Sequence, residues 1–285
     1  MSRSEDEGGE VCCEIENRMK LSMNLGRRVV LVGLILAGGI GMAQRVSAKR
    51  AAPANISNLV AEQHKRWGVV SIHGVCRREG LVVNHKRLLR VYREQQLQIR
   101  HRPGRKRFSV VRAPIAKPSA PNQVWSMDFI HDRLENGRKV KVLNVVDDFS
   151  RVCVGQIVSD SITGKHLVEF FESLDRMPLV VRCDNGPEFW SKAFQAWAHG
   201  RIKIDFIQPG KPQQNAIVES FNGKFREQCL NENIFFSIEH AREVVEEWRE
   251  IYNDFRPHRS LKGKTPKEFE REHQNQYQHM ELLSS

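Results

Sequence analysis

The sequence predicts an α/β fold, a mixed five-stranded sheet flanked by helices and preceded by a small helical unit. Three observations predict it. From Pro121 onward the apolar residues first alternate as they do in strands, then fall into short apolar runs separated by helical stretches. Ahead of that region, residues 51–120 hold 15 Lys and Arg against 3 Asp and Glu, whereas residues 121–285 hold 22 against 25. A basic segment therefore precedes a near-neutral one large enough for its own core. The proportions of 40% apolar and 28% charged residues are those of an ordinary folded protein, which excludes wholesale disorder and fibrous classes. The formal charge of +11 favours a polyanionic partner.

Residues 1–50 are acidic, then apolar, and match no module. Their one apolar run, Val29 to Met42, has 14 residues, short of the roughly 20 that cross a bilayer. Arg27-Arg28 in front of it gives the look of a secretory signal, but the 28 preceding residues include six acids, a poor start for one. Gly38, Gly39 and Gly41 also disfavour a continuous helix there. The expectation is no membrane span and a cytoplasmic protein. The six cysteines contain no C-x-x-C pair, which fits reduced thiols better than a zinc site.

Residues 51–100 read as a helix-turn-helix-like unit. Gly80 follows a short helical stretch, Asn84 is placed to cap the next helix, and Leu88, Leu89, Val91 and Tyr92 recur on one face. Lys86, Arg87 and Arg90 of that second helix are candidates for DNA contact, the alternative being a solvated basic helix pair. Residues 101–120, HRPGRKRFSVVRAPIAKPSA, have the composition of an exposed basic linker, with Arg102, Arg105, Lys106 and Arg107 as further DNA-contact candidates.

Residues 121–285 form the main domain. VWSMDFI, KVKVLNVVDDF and RVCVGQIVSD predict three strands in an antiparallel meander. Thr163 to Leu174 reads as a helix with Leu167, Phe170, Phe171 and Leu174 on one face. PLVVRCD is a short buried strand, SKAFQAWA a helix and IKIDFI a strand, and a longer helix, AIVESFNGKFREQCL, begins after Asn215. The order βββαβαβα is that of a ribonuclease-H-like sheet.

Three acids stand out in that order. Asp128 lies in the apolar centre of the first strand, where a carboxylate is costly unless a cation or donors compensate it. Asp184 ends the fourth strand and opens the turn DNGPEF. On the last helix Ile217, Phe221, Phe225 and Cys229 make the apolar stripe, which leaves Glu219, Asn222 and Arg226 on a polar face. Carboxylates converging from two strands and a facing helix make an oxygen-lined site suited to hard divalent cations. Asp147 and Asp148 are read as turn formers.

Longer motifs surround these acids. PNQVWSMDFI, VLNVVDDFSR, RCDNGPEF, FIQPGKPQQNAIVESFNGKFREQCLNE and YNDFRPHRSLKGKTPKEF occur in that order between residues 121 and 269. This stretch resembles the catalytic domain of DDE transposases of the insertion-sequence-three family, which are related in fold to retroviral integrases. RREGLVVNHKRLLRVYREQQLQIR at 77–100 resembles the helix-turn-helix that precedes that domain in the family's second reading frame.

Carried over position by position, the resemblance makes Asp128, Asp184 and Glu219 the catalytic metal ligands for two Mg²⁺ or Mn²⁺ ions. It implies metal-dependent DNA cleavage and strand transfer on element ends and target DNA, by a homo-oligomer, with an upstream-frame transposase protein as a further partner. Lys211, Gln214, Asn222, Lys224 and Arg226 are then placed to grip phosphates beside the scissile bond. Two alternatives stay open: a catalytically impaired remnant that binds element ends, and a nuclease of the same fold that cuts without joining.

Overall fold

The computed structural model describes residues 60–61, 63–78, 84–99, 118–208 and 212–274. The apolar run at 29–42, Gly80, Arg102, Arg105, Lys106, Arg107 and Lys211 lie outside the described residues. The chain divides into two compact units between His101 and Arg102. No helix among the described residues is long and apolar enough to cross a membrane.

The first unit contains α1 (Val69–Arg78) and α2 (His85–Glu94). Asn84 caps α2 with its side-chain oxygen, which accepts the Lys86 N–H at 2.9 Å. Leu88 and Tyr92, four residues apart, are the buried side chains of α2, and Ile72, Val75 and Cys76 are those of α1. His73 and His85 meet edge to face, with ring centroids 5.3 Å apart.

The second unit holds the predicted sheet. β1 (Val124–Arg133), β2 (Lys139–Asp147) and β3 (Cys153–Ser159) form the antiparallel meander. The turn between β1 and β2 includes Gly137 at φ +80°, a conformation that favours glycine. α3 (Gly164–Glu172) leads to β4 (Val180–Cys183), which pairs parallel with β1, and α4 (Lys192–Ala198) leads to β5 (Lys203–Phe206), parallel with β4. The strand order β3-β2-β1-β4-β5 puts β1 at the centre. β1 therefore carries Asp128, and Asp184 directly follows its parallel neighbour β4.

Strand alternation sends side chains to two cores. On one face Val140, Val142 and Val146 pack with Phe221 and Phe225 of α5 (Ala216–Gln228) and with Val245 and Trp248 of α6 (Ile238–Glu250). On the other, Trp125, Met127, Leu143 and Val145 pack with Leu167 and Phe171 of α3 and with Phe194 and Trp197 of α4. The helix α6 is an addition to the predicted order. It continues into a π-helical turn, Ile251–Phe255, where Asn253 clamps β3 by accepting the Cys153 N–H and donating to the Cys153 carbonyl, both at 2.9 Å. Cys153, Cys183 and Cys229 are buried free thiols, and Cys76 is buried as well.

Asp147 does more than form a turn. One carboxylate oxygen accepts from the Phe149 and Ser150 amides and the Ser150 hydroxyl, while the other accepts from the Asn122 amide and the Trp125 indole. A fully buried carboxylate is tolerated because each oxygen is saturated with donors. Asp148, next to it, accepts from the Ser126 hydroxyl at 2.6 Å and pairs with Arg182 at 3.2 Å, tying the end of β2 to β1 and β4.

Candidate active site

Asp128 sits on the α5 side of β1. Its cross-strand partner on β2 is Asn144, whose partner on β3 is Gln156, so one row of the sheet is polar across three strands. Gln156 Nε2 donates to Asn144 Oδ1 at 2.6 Å, Asn144 Nδ2 donates to Asn222 Oδ1 at 2.6 Å, and Asn222 Nδ2 donates to Asp128 Oδ2 at 2.9 Å. Asn144 and Asn222 each accept on one side and donate on the other, so the direction of the row is set by the carboxylate, which can only accept when ionised. The second oxygen of Asp128 accepts the Phe129 amide at 2.8 Å.

Asp184 follows the last residue of β4, and Glu219 lies in the first turn of α5. The amino end of α5 is anchored to the sheet by Asn215 Nδ2, which donates to the Met127 carbonyl at 3.3 Å, one residue before Asp128. The helix dipole favours an anionic side chain such as Glu219 at this end. Burial raises the Asp128 carboxyl to about 6, and the negative charges of Asp184 and Glu219 push it the same way. Asp128 therefore feels the charges of Asp184 and Glu219, and none of the three forms an ion pair among the described residues.

The loop after Asp184 is closely fitted. Gly186 donates its N–H to Asp184 Oδ1 at 3.0 Å, and a Cβ at that position would lie 3.0 Å from Asp184 Oδ1 and 3.1 Å from Glu188 Oε2. Glu188 forms a half-buried ion pair with Lys141 of β2, whose ammonium lies 3.8 Å from the Phe129 ring centroid. Asn185 Nδ2 reaches the Ile207 carbonyl at 3.2 Å. The DNGPEF segment is thus tied to β2 and to the end of β5, which holds Asp184 in place.

Among the described residues no three or more His, Cys, Asp or Glu side chains close into a ready-made metal cage. The donor set nevertheless suits a hard divalent cation. It consists of carboxylate oxygens only, and the carboxylate crowding at Asp128 is the kind that a cation relieves.

The predicted phosphate contacts fall into different places. Asn222, nine-tenths buried, is turned toward Asp128 and Asn144, where it positions a carboxylate. Arg226 pairs with Asp132 at 3.2 Å and donates to the His131 carbonyl, so it staples α5 to β1. Gln214 accepts the Gln208 amide at 2.9 Å. Lys224 donates to the Ser220 hydroxyl at 3.1 Å, and burial, with help from Arg256 and Arg151, lowers its ammonium to about 8. Lys86, Arg87 and Arg90 are exposed on α2, Arg90 lying 3.9 Å from Glu94. Asn144 and Gln156 escaped the sequence reading; the one signal each offered was a polar amide inside an otherwise apolar strand.

Comparison with known proteins bears on this geometry. Two models, both described as integrase core domain, match residues 118–212 and 200–266. An uncharacterised protein of insertion element IS407 from Burkholderia multivorans is 44% identical over 218 residues, which cover 75% of this chain and 79% of that protein. The transposase for insertion sequence element IS904 from Lactococcus lactis is 28% identical over 230 residues, covering 74% and 90%. Among solved structures, the HTLV-2 integrase catalytic core domain in complex with magnesium is 23% identical, covers 53% of this chain and 98% of its own, and superposes with a TM-score of 0.44.

Proposed function

The chain belongs to the integrase-core family of insertion-element transposases, polynucleotidyl transferases that act in DNA transposition, and on that premise we propose that Asp128, Asp184 and Glu219 are its catalytic residues. The observation that carries this assignment is their placement: Asp128 lies on β1, Asp184 directly follows β4, the parallel neighbour of β1, and Glu219 lies in the first turn of α5, the helix whose Asn222 holds the Asp128 carboxylate.

In the proposed reaction water attacks a phosphodiester at an element end and frees a 3′-hydroxyl. That hydroxyl then attacks a phosphate of the target DNA. No covalent protein–DNA intermediate forms, so no Ser or Tyr nucleophile is needed. Asp128, Asp184 and Glu219 would hold divalent cations, Mg²⁺ or Mn²⁺, and a bound pair supplies activation of the attacking oxygen and stabilisation of the leaving one. Asn222 and the Phe129 amide orient the Asp128 carboxylate, and the Gly186 amide orients that of Asp184. Arg102, Arg105, Lys106 and Arg107 hold the DNA backbone and position it, and the helix from about Asn84 to Arg93 adds the reading of sequence. The enzyme works on double-stranded DNA in the bacterial cytoplasm as a homo-oligomer.

The test is a labelled duplex carrying the element's terminal repeat, incubated with the purified protein and Mg²⁺ or Mn²⁺. Asp128→Asn, Asp184→Asn and Glu219→Gln should each lower strand cleavage roughly a thousandfold or more, as expected for losing several kcal/mol of transition-state stabilisation. Folding, followed by circular dichroism, should be unchanged. A variant that still cleaves at near the original rate would remove that residue from the assignment, and cleavage without joined product would make the protein a nuclease.

A further inference from the structure

Trp190 is unusual among the large apolar side chains of this domain. It is 55% exposed, yet its indole lies flat on Phe206, with ring centroids 4.1 Å apart and planes 3° from parallel. Phe206 is the last residue of β5, and its register partner on β4 is Cys183, the residue immediately before Asp184. Trp190 in turn closes the loop that Asp184 opens. That loop is fixed by the Phe189 amide donating to the Gly186 carbonyl at 3.1 Å, by Asn185 reaching Ile207, and by the Glu188–Lys141 ion pair. β5 is an edge strand, and Lys192, exposed at the start of α4, stands two residues beyond the indole.

The two rings are thus a preset flat surface beside the strand end that leads into Asp184, on the face of the sheet that packs against α3 and α4, with Lys192 two residues further along the chain. A flat π-face of this kind matches another flat π-face better than it matches an aliphatic chain. Stacking on an aromatic side chain is also tolerant of base identity, because every base has such a face. We propose that the Trp190–Phe206 stack is a platform that receives one unpaired nucleobase next to the scissile phosphate. The proposal rests on the DNA-cutting role above. It adds a requirement that this role does not contain: a base leaves the helical stack beside the cut.

The probe is a duplex with a short unpaired 3′ overhang, in which each overhang position in turn is 2-aminopurine or an abasic site. The full-length protein should quench 2-aminopurine at one position, and Trp190→Ala should abolish that quench and weaken binding about tenfold. Trp190→Phe, which keeps a flat ring, should retain most of the affinity. With an abasic site at the responsible position, the original protein and Trp190→Ala should bind equally. Equal binding by the two proteins on every base-containing probe would overturn the platform, as would a Trp190→Ala deficit that persists on every abasic probe. Stacking without cleavage would leave the platform standing and overturn the catalytic assignment instead. Cleavage that is indifferent to Trp190→Ala would do the reverse.

Discussion

At the scale of single residues, this domain handles buried carboxylates in three ways. Asp147 is saturated by five donors from backbone, hydroxyl and indole. Asp128 ends a row of amides and is left partly uncompensated, in the company of two further acids. Asp148 lies between these cases. Burial lifts its carboxyl to about 6 in spite of the Ser126 hydroxyl and Arg182. A carboxyl raised in this way binds its proton more tightly in the folded chain than in the unfolded one, where its value is about 3.9. Its contribution therefore favours folding at pH below about 4 and is lost as pH rises through about 6. Relative to Asp148→Asn, which cannot ionise, the original protein should lose up to about 3 kcal/mol of stability between pH 4 and pH 7. Urea unfolding of both proteins at several pH values measures the difference directly, and a difference that stays flat across that range contradicts the prediction.

At the scale of elements, packing tolerances distinguish one glycine from another. Gly164, first residue of α3, faces the cap of α4: a Cβ there would lie 1.6 Å from Ser191 Oγ and 2.5 Å from Ser191 Cβ. Ser191 Oγ is the acceptor that caps α4 through the Phe194 amide at 3.3 Å. Gly164→Ala must therefore displace the cap as well as crowd the junction, for a cost of about 2–4 kcal/mol. Gly223, within α5, has nothing within 4 Å of its would-be Cβ. Gly223→Ala should leave stability unchanged or raise it by about 0.5–1 kcal/mol, since alanine has the better helix propensity. Thermal unfolding should show a lowered midpoint for Gly164→Ala and an equal or higher one for Gly223→Ala. A midpoint for Gly164→Ala equal to that of the original protein would mean that the α3–α4 junction is looser than its geometry.

The same scale explains what was legible beforehand. The meander, α3, β4, α4, β5 and α5 could all be read because their apolar residues recur at periods of two or about 3.6. Asp128 stood out because it interrupts an apolar strand, Asp184 because it ends one and Glu219 because it lies off the apolar stripe of its helix, and the motifs around them made them candidates. The helix α6 was passed over although Ala241, Val245 and Trp248 keep helical spacing behind a Ser237 cap. The amides of the row were visible singly as polar residues in apolar strands, but their alignment was not, because it is made by register: Asp128, Asn144 and Gln156 become neighbours only once three strands align. Asn222 and Arg226 were correctly grouped with Glu219 on one helix face. Their partners, Asp128 and Asn144 for the first, Asp132 and His131 for the second, depend on where that helix lies across the sheet. The stacking of Trp190 on Phe206 is likewise a product of tertiary structure, joining residues sixteen positions apart.

At the scale of the whole molecule, charge divides the labour between segments. The catalytic domain, with 22 Lys and Arg against 25 Asp and Glu in residues 121–285, has no net excess with which to hold a polyanion. Its three proposed catalytic acids oppose phosphate until cations bind. Affinity for DNA should therefore come chiefly from residues 51–120, with 15 basic against 3 acidic residues. Each phosphate neutralised by such a segment releases condensed counterions, so the logarithm of the binding constant falls against the logarithm of salt concentration with a slope of about −0.9 per contact. Lys86, Arg87 and Arg90 are exposed on α2, whereas Leu88 and Tyr92 are turned to the interior, so replacing the three with Ala removes charge without touching the buried side chains. The triple variant of the full chain should bind duplex DNA more weakly, and its salt slope should be shallower by about 0.9 for each of the three that contacts a phosphate. Arg90, held near Glu94 at 3.9 Å, should contribute less than the other two when each is replaced singly. Binding measured by fluorescence anisotropy between low and moderate salt gives the slope. An unchanged slope in the triple variant would remove α2 from the DNA-binding surface and leave the basic stretch after residue 100 as the source of affinity.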